Sequence, residues 1–171
     1  MNSSNSNILK WTLYTALKLL QPNNFCASID LSHAYYTVNM HPAYRKYVCF
    51  EYNGQLYQFT CLPNGFSPGP RIFTKIMKPA LSILRREYGI TIMSYLDDLF
   101  LTETTQQAMI DAVQHTVRLF SDQGFKISIE KSQFVPAQEI EFSGFKINTV
   151  KMTVTMTDKK AQKVIKLCTH I

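Results

Sequence analysis

Apolar and polar positions along this 171-residue chain switch repeatedly between helical and strand-like spacing, and the switches divide it into elements. Leu9, Leu13, Leu17 and Leu20 recur near helical spacing and predict a helix over 8–20, capped by Asn7 and stopped by Pro22-Asn23-Asn24. Phe25-Cys26-Ala27-Ser28-Ile29 is a short apolar run, read as a buried strand that ends at Asp30. There Asp30 also fits as a helix cap for a turn over 31–36. Aromatic-rich runs over 47–51 and 55–60 flank Asn53-Gly54, a hairpin signal because both turn residues tolerate positive φ. The Pro- and Gly-dense stretch from Leu62 to Pro70 predicts a shaped loop. From about Arg71, the residues Ile72, Phe73, Ile76, Met77, Ala80, Ile83 and Leu84 mark one face of a helix, with a kink expected at Pro79.

Met93 to Leu101 is two apolar runs meeting at Leu96-Asp97-Asp98, which predicts a buried hairpin with two adjacent carboxylates at its tip. A second helix follows over 104–123, with a Thr104/Gln107 capping box, a stripe of Met109, Val113, Val117 and Phe120, and a stop at Gly124. Residues 126–130 alternate as a strand. Residues 140–147, with Gly144 inside, read as a strand or hairpin, 152–156 as a further strand, and 158–171 as the start of a helix. Setting the 47–60 hairpin aside as an insertion leaves β-α-β-β-α-β. This split βαβ order is an α+β, ferredoxin-like fold, an antiparallel sheet with helices on one face. Its first and third strands lie side by side at the sheet centre, so Asp30 is expected to meet Asp97 and Asp98 on one edge.

Composition narrows the chemistry. Hydrophobic residues make up 46% of the chain, enough for a packed core, and the net charge of +6 favours an anionic partner. Cys26, Cys49, Cys61 and Cys168 show no C-x-x-C spacing and read as buried thiols in a reducing compartment; His33, His41, His115 and His170 show no ligand spacing. No apolar run reaches the roughly 18–20 residues of a membrane span, and no signal peptide opens the chain. An intracellular location without a membrane partner is the default expectation.

Adjacent carboxylates at an enclosed hairpin tip repel and lose hydration. Either Asp97 and Asp98 form an ordinary polar turn, or a divalent cation compensates them. Three converging carboxylates can hold two such ions about 3.5–4 Å apart, the arrangement used for in-line phosphoryl transfer. Hard oxygen donors fit Mg²⁺, with Mn²⁺ as the alternative.

Four motifs in order give the chain a family resemblance. Ser28-Ile29-Asp30-Leu31-Ser32-His33-Ala34-Tyr35, the loop Leu62 to Pro70, Tyr95-Leu96-Asp97-Asp98, and Gly124-Phe125-Lys126 through Glu130-Lys131-Ser132 resemble the fingers–palm motifs of reverse transcriptases. Arg71-Ile72-Phe73-Thr74-Lys75 is similar to the version in DIRS-like retroelements, and Phe142-Ser143-Gly144-Phe145 resembles the primer-grip hairpin. The resemblance implies a polymerase palm with an inserted fingers hairpin, the region of about 45–80 being fingers-proximal. It implies RNA-directed DNA synthesis from dNTPs on a template-primer. Asp30, Asp97 and Asp98 would bind two Mg²⁺ ions through their side chains and Leu31 through its carbonyl, and Lys131 would protonate the pyrophosphate. Ala34, Tyr35, Asn64 and Gly65 would line the nucleotide pocket, with Tyr35 excluding a 2′-hydroxyl. Pro70, Arg71, Tyr95 and Gly144 would meet primer or template. Asn64 departs from the Gln usual in retroviral relatives, and Ser143 from the usual Leu.

On this resemblance residues 1–171 form a partial domain, and the triphosphate-gripping fingers strand, thumb, connection and RNase H or recombinase segments belong to the rest of a parent polyprotein. The chain alone is expected to be weak or inactive. Two other readings remain: another palm polymerase that copies RNA into RNA, which Tyr35 disfavours, and a non-catalytic nucleic-acid-binding remnant, which the intact aspartates disfavour.

Overall fold

The computed structural model describes residues 17–168. Of the helix expected over 8–20, residues 17–20 fall within that part; 17–19 are helical and Leu20 is not. Asn7, Leu9, Leu13, His170 and the last residues of the C-terminal helix lie outside it.

The central sheet has four strands, β1 (Phe25–Ser32), β4 (Ile92–Tyr95), β5 (Asp98–Glu103) and β6 (Lys126–Ala137), in the order β4-β5-β1-β6, all antiparallel. This is the order expected for the split βαβ arrangement, with β1 and β5 adjacent at the centre. Helices α2 (Gly69–Arg86) and α3 (Gln106–Asp122) cover one face. Between β1 and α2 lie a short helical turn (Ala34–Thr37), the one-turn helix α1 (Pro42–Arg45), and the hairpin of β2 (Cys49–Tyr52) and β3 (Gln55–Gln58). After β6 come a three-stranded sheet of β7 (Glu139–Phe142), β8 (Phe145–Asn148) and β9 (Thr153–Met156), and helix α4 (Asp158–Cys168).

Strand periodicity decides which side chains meet which layer. Ala27, Ile29 and Leu31 of β1 and Leu99 and Leu101 of β5 point to the helices and pack on Phe73, Met77 and Leu84 of α2 and Met109 and Phe120 of α3. The alternate residues, Cys26 and Phe100, point the other way and are roofed by Ile140, Phe142 and Ile147 of the second sheet. The Phe100 and Phe142 rings lie 5.0 Å apart between centroids. This roof over the helix-free face was not foreseen in the sequence. It stops short of Ser28, Asp30 and Asp98, which remain half-exposed at one end.

Several boundaries moved. β1 runs two residues beyond Asp30 to Ser32, so Asp30 is a strand residue and caps no helix. The cap of α3 is Thr105, whose hydroxyl accepts from the Ala108 amide at 3.2 Å, and Gln107 reaches forward to Asp111 instead of closing a box with Thr104. Helix α2 continues through Pro79. β6 extends to Ala137, past the 126–130 alternation, because two register shifts against β1 let it follow the twist of its neighbour; Pro136 is tolerated there because β6 is an edge strand. The Asn53-Gly54 turn has φ of 52° and 74°, as a two-residue hairpin loop requires. All eight residues of β2 and β3 are exposed.

Phe100 is the fully buried side chain that joins the sheet to its roof. Replacing it with Ala is expected to cost about 3–5 kcal/mol by transfer and cavity terms. Urea denaturation of Phe100→Ala should show that loss as a lower midpoint.

Candidate active site

The three aspartates reach one rim by strand register and turn geometry. Asp30 pairs directly with Asp98 across β1 and β5, and Tyr95 pairs with Asp98 across β4 and β5. That leaves Leu96-Asp97 as a two-residue loop, with Leu96 at φ 55°. A non-glycine residue held there stores on the order of 1–3 kcal/mol of strain, which the surrounding strands offset. The loop is tied to the sheet by the Leu31 amide, which donates to the Asp97 carbonyl at 2.9 Å.

Directly opposed residues of an antiparallel pair carry their Cβ atoms about 4.5–5.5 Å apart on one face. Asp30 and Asp98 therefore face each other, and their carboxyls share a hydrogen bond. Burial pushes the Asp98 carboxyl up to about 6, helped by the charges of Asp97 and Asp30 and by that hydrogen bond, and opposed by Lys131. Asp97 is also raised, first by burial and then by Asp30, with its backbone hydrogen bond and Lys131 working against the shift. Lys131 reaches the group because β6 bulges between Ser128 and Gln133. Ser132 closes that bulge: its hydroxyl accepts from the Asp30 amide at 3.0 Å and donates to the Ser128 carbonyl.

Two hollows meet this rim. A cleft of about 360 Å³ is lined by Asp30, Asp98, Lys131, Glu141, Ser143 and Gly144. It brings the β7–β8 turn, placed far away in sequence, against two of the carboxylates. A larger hollow of about 1060 Å³ is lined by Tyr35, Asn64, Gly65, Pro70, Arg71 and Tyr95, among others. Arg71, Lys75 and Lys78 give it a basic wall. Tyr35 stacks on Phe73, ring centroids 5.1 Å apart, and Gly69 leaves room for its ring: a Cβ there would stand 3.4 Å from the Tyr35 edge. Burial, then the charges of Asp97 and Tyr95, raise the Tyr35 phenol; burial, then Asp98 and Asp97, raise Tyr95. Both rings thus stand within electrostatic reach of the carboxylates.

Most candidate residues line one hollow or the other; Asp97, Ala34 and Leu31 line neither. Ala34 is 3% exposed and packs in the helix-side core, while its carbonyl accepts from the Thr37 hydroxyl at 2.6 Å. Its methyl therefore offers nothing to a ligand, and a share in a nucleotide pocket would fall to its main chain. The Leu31 side chain is buried in the same core, so this residue has only main-chain atoms to offer. The Asn64 amide is engaged, donating to the Tyr36 hydroxyl at 3.1 Å. Sequence reasoning missed Ser132 and Tyr36, whose partners lie far off in the chain. Of the thiols expected to be buried, Cys26 is, and burial raises it to about 11, whereas Cys49 on the projecting hairpin is exposed and Cys61 only partly buried.

The donor set fits a hard divalent cation: oxygen ligands only, in partly desolvated surroundings, with repulsion left over. Among the described residues no group of three or more Asp, Glu, His or Cys side chains is already gathered closely enough to hold a metal ion. An open rim of carboxylates suits Mg²⁺, which keeps several waters and shares its shell with substrate oxygens.

The description "Reverse transcriptase (RNA-dependent DNA polymerase)" belongs to the family profile that matches residues 3–147. The Gag-Pol polyprotein of avian reticuloendotheliosis virus is 27% identical over 90% of the chain, and the Gag-Pro-Pol polyprotein of human T-cell leukemia virus 2 is 31% identical over 85%. The chain spans only 14% and 10% of those polyproteins. A foamy viral protease-reverse transcriptase in complex with double-stranded DNA superposes with a TM-score of 0.72 at 22% identity, covering 88% of this chain and 25% of that one. The foamy viral enzyme in complex with an RNA/DNA hybrid gives 0.70.

Asp98 titrates from about 3.8 when unfolded to about 6 when folded, so between those values the unfolded state has released its proton and the folded state has not. Stability of the metal-free protein should fall as pH rises from about 4 to above 6. Asp98→Asn should lessen that slope, leaving the part that Asp97 carries, and raise the thermal midpoint at pH 7.5. Calorimetry at pH 5 and pH 7.5 on both proteins checks this.

Proposed function

The chain belongs to the reverse transcriptase family, and from that premise we propose that it is the palm, with part of the fingers, of an enzyme that joins dNTPs to a primer 3′-hydroxyl under direction of an RNA or DNA template. The observation that carries this reading is the meeting of Asp30, Asp97 and Asp98 on a rim between a basic hollow and the Gly144 turn. In this reading residues 1–171 are part of a longer protein, with residues of about 45–80 as the fingers-proximal insertion.

Asp30, Asp97 and Asp98 would hold two Mg²⁺ ions, with the Leu31 carbonyl as a further ligand. When bound, such ions supply a lowered pKa for the primer hydroxyl and charge neutralisation at the leaving phosphate. The remaining work belongs to the chain's own groups. Raised carboxyls mean that in the metal-free site part of the negative charge is protonated near pH 6, so Mn²⁺ binding should tighten with pH through that range as Asp98 gives up its proton. Lys131, the cation to which both Asp97 and Asp98 respond, would give a proton to departing pyrophosphate. Tyr35, held flat on Phe73, presents a rigid ring as the floor under a sugar, where a 2′-hydroxyl would collide. Arg71, Lys75 and Lys78 offer sequence-independent phosphate contacts. The Asn64 amide, tethered to Tyr36, shapes the loop rather than reaching freely for a ligand.

The test is single-turnover addition of one nucleotide to a primer on an RNA template, with protein in excess and Mg²⁺ or Mn²⁺ present. Slow dNTP addition is expected, falling roughly a thousand-fold in Asp97→Asn. Calorimetric Mn²⁺ binding should weaken in the same variant. Duplex binding without any extension, even with the chain joined to fingers and thumb segments, would favour the nucleic-acid-binding remnant and defeat the polymerase reading. Tyr35→Ala should raise ribonucleotide addition relative to deoxynucleotide addition about tenfold or more; an unchanged ratio would remove Tyr35 from the sugar-selecting role.

A further inference from the structure

Lys160, in the first turn of α4, makes contacts that no metal or nucleotide role explains. Its ammonium donates to the Ser143 carbonyl at 2.9 Å and stands 3.7 Å above the Phe145 ring. Its stem fills the space beside Gly144, where an added Cβ would come within 2.7 Å of the Lys160 Cδ. Ser143 and Gly144 have φ of 51° and 79°, a tight two-residue turn. The same helix end grips the turn a second time. The Thr157 amide and hydroxyl both donate to the Gly144 carbonyl, at 3.1 and 3.2 Å, and the Lys160 amide returns to Thr157. One helical turn thus occupies the carbonyls of both loop residues, and Lys160 rests on the aromatic ring that follows. Ser143 and Gly144 line the cleft that holds Asp30, Asp98 and Lys131.

We propose that Lys160 is a positioning residue, clamping the Ser143-Gly144 turn so that α4 sets where the primer end lies against the carboxylate rim. The proposal rests on the polymerase reading above. A loosened turn would leave nucleotide affinity intact and misplace the attacking hydroxyl, because Ser143 and Gly144 line the carboxylate cleft and not the nucleotide hollow. Partial burial, which pulls the Lys160 ammonium below its ordinary value, agrees with a group committed to a fixed contact. Arginine could keep both contacts, since its guanidinium donates to carbonyls and stacks on rings.

Two readouts on the full chain test this. Hydrogen–deuterium exchange over residues 140–148 should be about tenfold faster in Lys160→Met than in the wild type, with exchange in β1 and β5 unchanged. In single-turnover primer extension, Lys160→Met should lower the maximal rate about tenfold while the dNTP concentration for half-maximal rate stays within about twofold. Lys160→Arg should recover both to within about threefold. Unchanged exchange in Lys160→Met would overturn the clamp even if extension is robust. A loss confined to dNTP affinity, or an Arg variant as slow as the Met variant, would overturn the positioning role. A wild type that extends no primer even when joined to fingers and thumb segments would sink the polymerase reading, and the catalytic half of this proposal with it, while the exchange result still judges the clamp.

Discussion

The antiparallel pairing of β1 with β5 sets Asp30 directly across from Asp98, two carboxylates that repel each other while losing part of their water. At an effective dielectric near 20, a unit charge pair about 5 Å apart costs roughly 3 kcal/mol. On the opposite face of the same two strands, Ala27, Ile29, Leu31, Leu99 and Leu101 are buried against α2 and α3. Each large aliphatic there contributes about 1.5–3 kcal/mol. The apolar face therefore outweighs the repulsion and fixes the register. Because side chains alternate with a period of two, a slip by one residue would bury Asp30 among the helices and bring Ile29 or Leu31 to the rim. The sheet can carry its carboxylate pair because the other face cannot move.

The rest of the molecule is arranged around the open end of that pair. The β7–β8 hairpin closes the apolar part of the helix-free face through Phe142 on Phe100 and then turns at Ser143-Gly144 beside the carboxylates. The bulge in β6 brings Lys131 toward the rim, and Ser132 occupies the Asp30 amide that the bulge leaves without a ladder partner. The strained loop at Leu96 puts Asp97 next to Asp98 rather than on the strand behind it. Packing on one side, one cation and a constrained turn on the other leave residual charge repulsion, which an incoming divalent ion would relieve.

Much of this was legible from local pattern. The apolar runs at 25–29 and 93–101, the Asn53-Gly54 turn and the split βαβ order predicted the strand adjacency, and with it the meeting of Asp30 with Asp97 and Asp98. What stayed hidden depends on long-range partners. The sequence of β6 alternates clearly only to Glu130, and its continuation to Ala137 is set by pairing with β1. Ala34 sits inside a motif suggestive of ligand contact, yet the chain turns it into the core. Thr104 and Thr105 are equally good caps by composition, and the approach of the chain from β5 selects the second. Nothing around Lys160 in the sequence points to Ser143, 17 positions earlier. Ser132 is likewise an ordinary strand residue until its bond to Asp30, 102 positions away, is seen.

The direct test of the carboxylate coupling is a carbon NMR titration of the Asp98 carboxyl in the metal-free protein, repeated in Asp30→Asn. The account predicts a midpoint near 6 in the wild type, shifted toward lower pH once the Asp30 charge is gone. An Asp98 that titrates near 4 in both proteins would show that the two carboxylates do not share a rim, and the site built on them would fall.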